Sequence, residues 1–130
     1  MKNFTDLKTF EDACKVEKLD PKTVIPDFSC YPEEDRKSME AHAKLVIIVR
    51  AANRLANSGK QWIPDFTNFD ERKYEAWFDL EENGSSGFRF RDYVHWFAGS
   101  NVGSRLCFIS REVCEYVGKQ FLDTYKAYFI

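Results

Sequence analysis

The spacing of apolar residues changes along the chain. From residue 9 to residue 18 and from 32 to 57 they recur every three or four positions, as on a helix with a buried face. From 74 to 97 they alternate, as on strands, and from 110 to 130 the helical period returns. Thr9, followed by Glu11 and Asp12, is an N-cap with acids in the first turn, so a first helix is expected to about Lys18. Asp20-Pro21 predicts one further turn. Pro32, Glu33, Glu34 and Asp35 open the longest element, which stops at Ser58-Gly59. Leu45, Ile48, Val49, Ala52, Leu55 and Ala56 form one stripe of it, and Ala43, Val46, Ile47 and Ala51 another. A helix apolar on two sides belongs at the centre of the fold. His42, one turn before Leu45 and Val46, reads as a core or boundary histidine.

Residues 60–72 read as a loop, in which Ile63-Pro64-Asp65-Phe66 echoes Ile25-Pro26-Asp27-Phe28: two Pro-Asp turns anchored by their flanking Ile and Phe. Tyr74–Leu80 and Phe88–Phe97 read as strands joined through Asn83-Gly84, a hairpin signal. After a glycine loop over Ala98–Ser104, Arg105–Ile109 reads as a third strand. Ser110 caps a final helix whose Val113, Val117, Phe121, Tyr125 and Tyr128 face the sheet, and Gly118 within it implies close approach of another element. The expected fold is α+β: N-terminal helices with one long central helix, a three-stranded antiparallel meander, and a C-terminal helix packed on the sheet. One domain is expected over residues 1–130, with 1–59 mainly helical, 60–72 a loop, 73–109 the antiparallel sheet and 110–130 the C-terminal helix.

Composition narrows the function classes. The net charge of −2 argues against general nucleic-acid binding. The aliphatic run Leu45–Val49 is too short to cross a membrane, and the polar N-terminus has no signal-peptide core. A soluble, cytoplasmic protein is therefore expected. Cys14, Cys30, Cys107 and Cys114 form no C-x-x-C pair, and with His42 and His95 they give no metal-ligand spacing, so free thiols, no metal and no cofactor are expected. The aromatic content is high, with 12 Phe, 6 Tyr and 3 Trp, or 16% of the chain.

Alternation divides those aromatics between two faces. Tyr74, Ala76, Phe78, Leu80, Phe88, Phe90, Val94, Trp96, Leu106 and Phe108 form a core face. The other face collects Glu75, Trp77, Asp79, Arg89, Arg91, Tyr93, His95, Phe97, Arg105 and Cys107. A bulge at Asp92 reverses the placing of Tyr93 and His95. Guanidinium groups fork onto phosphate or carboxylate and rings stack on a planar base, so this face suits a small anionic ligand such as a nucleotide. The plainer reading of the same residues is a solvated face with cross-strand Arg–Glu and Arg–Asp pairs. Gly99, Ser100, Gly103 and Ser104 lie beside it in a glycine loop whose backbone N–H groups suit a phosphate, although no Lys is present and a strand follows where a P-loop has a helix. Cys107 and His95 make a formal nucleophile–base pair on that face, and no catalytic motif accompanies them.

Trp77-Phe78-Asp79-Leu80, Ser86-Gly87-Phe88-Arg89-Phe90, Val102-Gly103-Ser104-Arg105-Leu106-Cys107-Phe108 and Glu115-Tyr116-Val117-Gly118-Lys119-Gln120-Phe121 resemble segments of small uncharacterised proteins of bacteriophages and prophages of gut anaerobes. Lys8-Thr9-Phe10-Glu11-Asp12-Ala13-Cys14 and the Pro-Asp turns extend the resemblance over most of the chain. It implies a mobile-element origin and the cytoplasm of a bacterial host, and brings no activity or site with it. The expectation is a non-catalytic binding protein for a small anionic ligand. The alternative is a protein-interaction module, an inhibitor of a host protein or a minor structural protein, and a homodimer is possible on the same face.

Overall fold

The structure is a computed structural model that describes residues 1–80, 87–97 and 104–130. A single 3-10 turn (Phe4–Asp6) leads into α1 (Phe10–Glu17) and the long α2 (Glu33–Ala56). β1 (Arg72–Asp79) and β2 (Arg89–Phe97) form an antiparallel pair, followed by α3 (Arg111–Gln120) and α4 (Leu122–Phe129). The class is α+β, as expected. The helix starts follow their capping chemistry: Thr9 accepts the Asp12 N–H while Asp12 returns a bond to the Thr9 N–H, and Ser110 accepts the Val113 N–H. α1 ends with Lys18 in the left-handed region, and α2 with Ser58 and Gly59 there, at φ of 58° and 81°.

α2 is the centre of the fold. Leu45, Ile48, Val49, Ala51 and Ala52 are buried on it, against α1 on one side and α3 and α4 on the other. Glu17, almost wholly buried at the end of α1, receives Arg54 at 3.0 Å and Arg50 at 3.4 Å from α2. β1 and β2 lie over α3, and Gly118 marks the contact: a Cβ there would stand 2.5 Å from Cδ2 of Phe90. The close approach implied by the glycine is therefore that of β2.

The structure corrects the expected architecture in two places. The three-stranded meander is a two-stranded sheet among the described residues. Arg105–Ile109 contributes a single bridge, in which Phe108 and Tyr74 exchange backbone hydrogen bonds of 2.8 and 3.3 Å. The neighbouring backbone groups are taken by a side chain. Asn53, buried on α2, donates from Nδ2 to the Cys107 carbonyl and accepts the Ile109 N–H on Oδ1, both at 3.0 Å. One amide side chain thus supplies the donor and acceptor that another strand would have offered, and residues 107–109 are held to α2 instead. The single C-terminal helix is two, α3 and α4, separated at Phe121. The hairpin turn at Asn83-Gly84 and the loop residues Gly99, Ser100 and Gly103 lie outside the described residues.

Among the described residues no helix is long and apolar enough to cross a membrane.

Candidate functional site

The register of the two strands decides which side chains meet. Arg72↔Phe97, Tyr74↔His95, Ala76↔Tyr93 and Trp77↔Asp92 pair in step. The next pair is Phe78↔Phe90, so Arg91 is an extra residue on β2 and the register shifts there. This bulge corrects the division of faces. Tyr93 and His95 share the side of Ala76 and Tyr74, toward α3, and not the side of Trp77. The backbone partners of Val94 and Trp96 are Glu75 and Lys73.

The predicted site accordingly divides into separate places. Trp77, 54% exposed, remains on the outer face with Arg89 and Arg91. There Asp79 accepts from Arg89 Nε at 2.9 Å, with Arg91 at 3.9 Å from its other oxygen. This is the cross-strand pairing of a solvated face. Arg105 is exposed and lines a narrow recess of about 40 Å³ against Val46, Arg50, Asn53, Trp62 and Pro64, away from Arg89 and Arg91. Ser104 turns its hydroxyl to the Leu106 N–H at 3.1 Å. Cys107 and His95 do not form a reactive pair: the thiol is fully buried, and burial pushes its pKa up to about 12, whereas His95 is exposed.

Tyr93 and His95 instead enter a recess of about 320 Å³ between the sheet and the start of α3, which Arg72, Tyr74 and Arg111 also line. Tyr74 is at its centre, with ring centroids 5.8 Å from Tyr93 and 6.1 Å from His95. Tyr93 lines the same recess as Arg111 and, with Glu112, holds the guanidinium more firmly charged. Arg111 Nε also reaches Glu112 Oε1 at 3.1 Å. The recess thus brings two guanidinium groups, an imidazole and two phenols to one opening. Arg72 and Arg111 escape a reading by faces, because one ends a stretch without periodicity and the other looks like an ordinary first-turn residue. Their signal is an arginine at each end of a β-unit that the bridge between Tyr74 and Phe108 draws together.

The outer face also has a cover that alternation does not disclose. Lys73, one register position from Tyr74, has 0% exposure. Its ammonium donates to the carbonyls of Asp65 (2.8 Å), Asn68 (3.2 Å) and Glu71 (3.2 Å) and meets the Glu71 carboxylate at 3.1 Å. The Pro-Asp turn shapes this cage: Asp65 accepts the Thr67 N–H and hydroxyl at 2.9 and 2.6 Å, and the Thr67 hydroxyl foremost holds its carboxyl below the usual range. Ile63, expected as an anchor of that turn, is instead exposed. Among the described residues no group of His, Cys, Asp and Glu could hold a metal ion.

No protein-family model matches the chain, and neither the curated proteins nor the solved structures contain a similar one.

Proposed function

We propose that the protein is a non-catalytic binding protein for a small anionic ligand of the nucleotide type, taken up in the recess of Arg72, Tyr74, Tyr93, His95 and Arg111. The observation that carries this reading is the convergence of two arginines and a histidine on a recess of about 320 Å³ walled by tyrosine rings. Small-ligand sites begin at about 300 Å³ and combine an apolar or aromatic wall with a few placed polar groups. Guanidinium groups supply forked donors for phosphate or carboxylate oxygens, and the phenol faces suit a planar group. The site lies on the other side of the sheet from Trp77, Arg89 and Arg91. Together with the phage-protein resemblance, the proposal places this binding in the cytoplasm of a bacterial host. Native mass spectrometry against a panel of nucleotides tests it. One or more should bind at a single site, and Arg72→Ala with Arg111→Ala should remove the adduct while Arg89→Ala leaves it. A panel with no adduct, or an adduct lost with Arg89 and kept without Arg72 and Arg111, overturns the proposal.

A second reading, a protein-interaction surface, draws on the opposite part of β1. Trp77, Leu80 and Phe129 are exposed beside Phe78 and Arg91 around a groove of about 370 Å³. Exposed aromatic and arginine side chains of this kind are the usual anchors of interfaces. Light scattering on the pure protein reads whether a second copy is that partner, and Trp77→Lys should then return the monomer.

A further inference from the structure

The recess already contains a negative group of the protein's own. Glu112 lies on its rim, exposed, with its carboxylate on Arg111 Nε at 3.1 Å. Its own backbone N–H, then Arg111 and the Ser110 hydroxyl, hold that carboxyl below the ordinary range. Arg111 therefore has two neighbours of different character in the recess. Tyr93 is a phenol packed against the core on β2. Glu112 is a charged acceptor at the surface. A ligand oxyanion approaching Arg111 replaces Glu112 and leaves Tyr93 in place.

Building on the ligand reading above, we propose that Glu112 is an internal stand-in for the ligand's anionic group, and that the ligand is a phosphate monoester whose phosphoryl group displaces it from Arg111. The chemistry favours phosphoryl over carboxylate. Exchanging one carboxylate for another gains no charge, whereas a phosphoryl group brings nearly two charges and three acceptor oxygens. Those oxygens suit a recess lined by Arg72 and His95 as well as Arg111. The organic part of the ester then lies against Tyr74 and Tyr93. Glu112 acts as a built-in competitor that lowers the affinity for every anion and leaves the strongest advantage to the most highly charged one.

Amide-resolved NMR titration of the intact protein separates the parts of this statement. The probes are adenosine 5′-monophosphate, inorganic phosphate and adenosine, each added to the natural protein and to Glu112→Gln. The first two should shift the amides of residues 111–113 and 93–95, and adenosine should not. Glu112→Gln should bind adenosine 5′-monophosphate about tenfold more tightly, since a like charge is removed from the seat of the phosphoryl group. Its thermal midpoint should be close to that of the natural protein, because the residue is exposed. Equal affinity in both proteins overturns the role of Glu112 and leaves the ligand reading intact. Binding of adenosine as tight as that of its monophosphate overturns the phosphoryl assignment. No shift at these amides in either protein overturns both.

Discussion

Gly118 shows how much a single hydrogen atom decides in this core. In an exposed helix interior, Gly→Ala stabilises by about 1 kcal/mol, because the chain has less freedom to lose on folding. Here the added methyl would meet the Phe90 ring at 2.5 and 2.8 Å, with Ala76 Cβ at 3.4 Å behind it. The ring has little room to retreat, since Phe78 packs against it edge-on at 5.9 Å. Gly118→Ala should therefore reverse the usual sign and destabilise by about 1–3 kcal/mol. Urea denaturation measures this, and Phe90→Leu in the same chain should restore part of the loss. The glycine was legible in the sequence as a demand for close approach. Its partner was not, because nothing local to α3 says which strand lies over it.

Among the elements, those with chemistry at their ends were the most legible. Thr9 and Ser110 start helices where their side chains cap them, and Ser58-Gly59 stops one where positive φ is needed. Features set by a partner far along the chain were hidden. The extra residue at Arg91 depends on what β1 presents opposite it, and without it Tyr93 and His95 fall on the wrong face. In-step alternation therefore sets Tyr93 and His95 beside Trp77, only a bulge moves them to the other side, and no periodicity points to Arg72 or Arg111. Asn53 was hidden too: a polar residue near the end of a long helix reads as solvent-facing, yet here it replaces a strand. Asn53→Ala leaves the Cys107 carbonyl and the Ile109 N–H without their partner, at a cost of about 1–3 kcal/mol for each buried group left unpaired. The segment 107–109 should then detach from α2 before the helices melt. Hydrogen exchange at the Ile109 amide should quicken markedly in the variant, while amides in the middle of α2 keep their protection.

On the scale of the whole molecule, the interior holds several ionisable groups whose burial favours the neutral form. Cys14, Cys107, Cys114 and Tyr125 are all buried, and burial raises the pKa of each. The Tyr125 hydroxyl is also buried, with no hydrogen-bond partner among the described residues. For Cys107 the shift is from the ordinary 9.0 up to about 12. Below the ordinary value both folded and unfolded chains hold the proton, and the contribution to stability is complete. As pH rises past it the unfolded chain releases protons first, so stability falls progressively toward the folded value. The urea midpoint should be flat from about pH 7 to about pH 9 and decline above that, and Cys107→Ala should make the decline shallower. In the native state at neutral pH, Cys30, the exposed thiol, should be the one that reacts promptly with a disulfide reagent. The lack of a C-x-x-C pair makes free thiols legible in the sequence, whereas the exposure of Cys30 among the four is seen only in the fold. The side of the sheet that holds the recess did not, since it emerges only when the bulge, the bridge at Phe108 and the start of α3 come together.

The caged Lys73 has a consequence for the conditions under which the protein keeps its shape. Three carbonyl oxygens and a carboxylate converging on one point are what a loop offers to a bound metal ion. Here the positive charge arrives on a covalent tether from β1, so it is never diluted, chelated or exchanged for a competing ion. The loop over residues 64–71 thus closes by the same event that forms the strand, and its order is inherited from the sheet and not from the ionic composition of the surroundings.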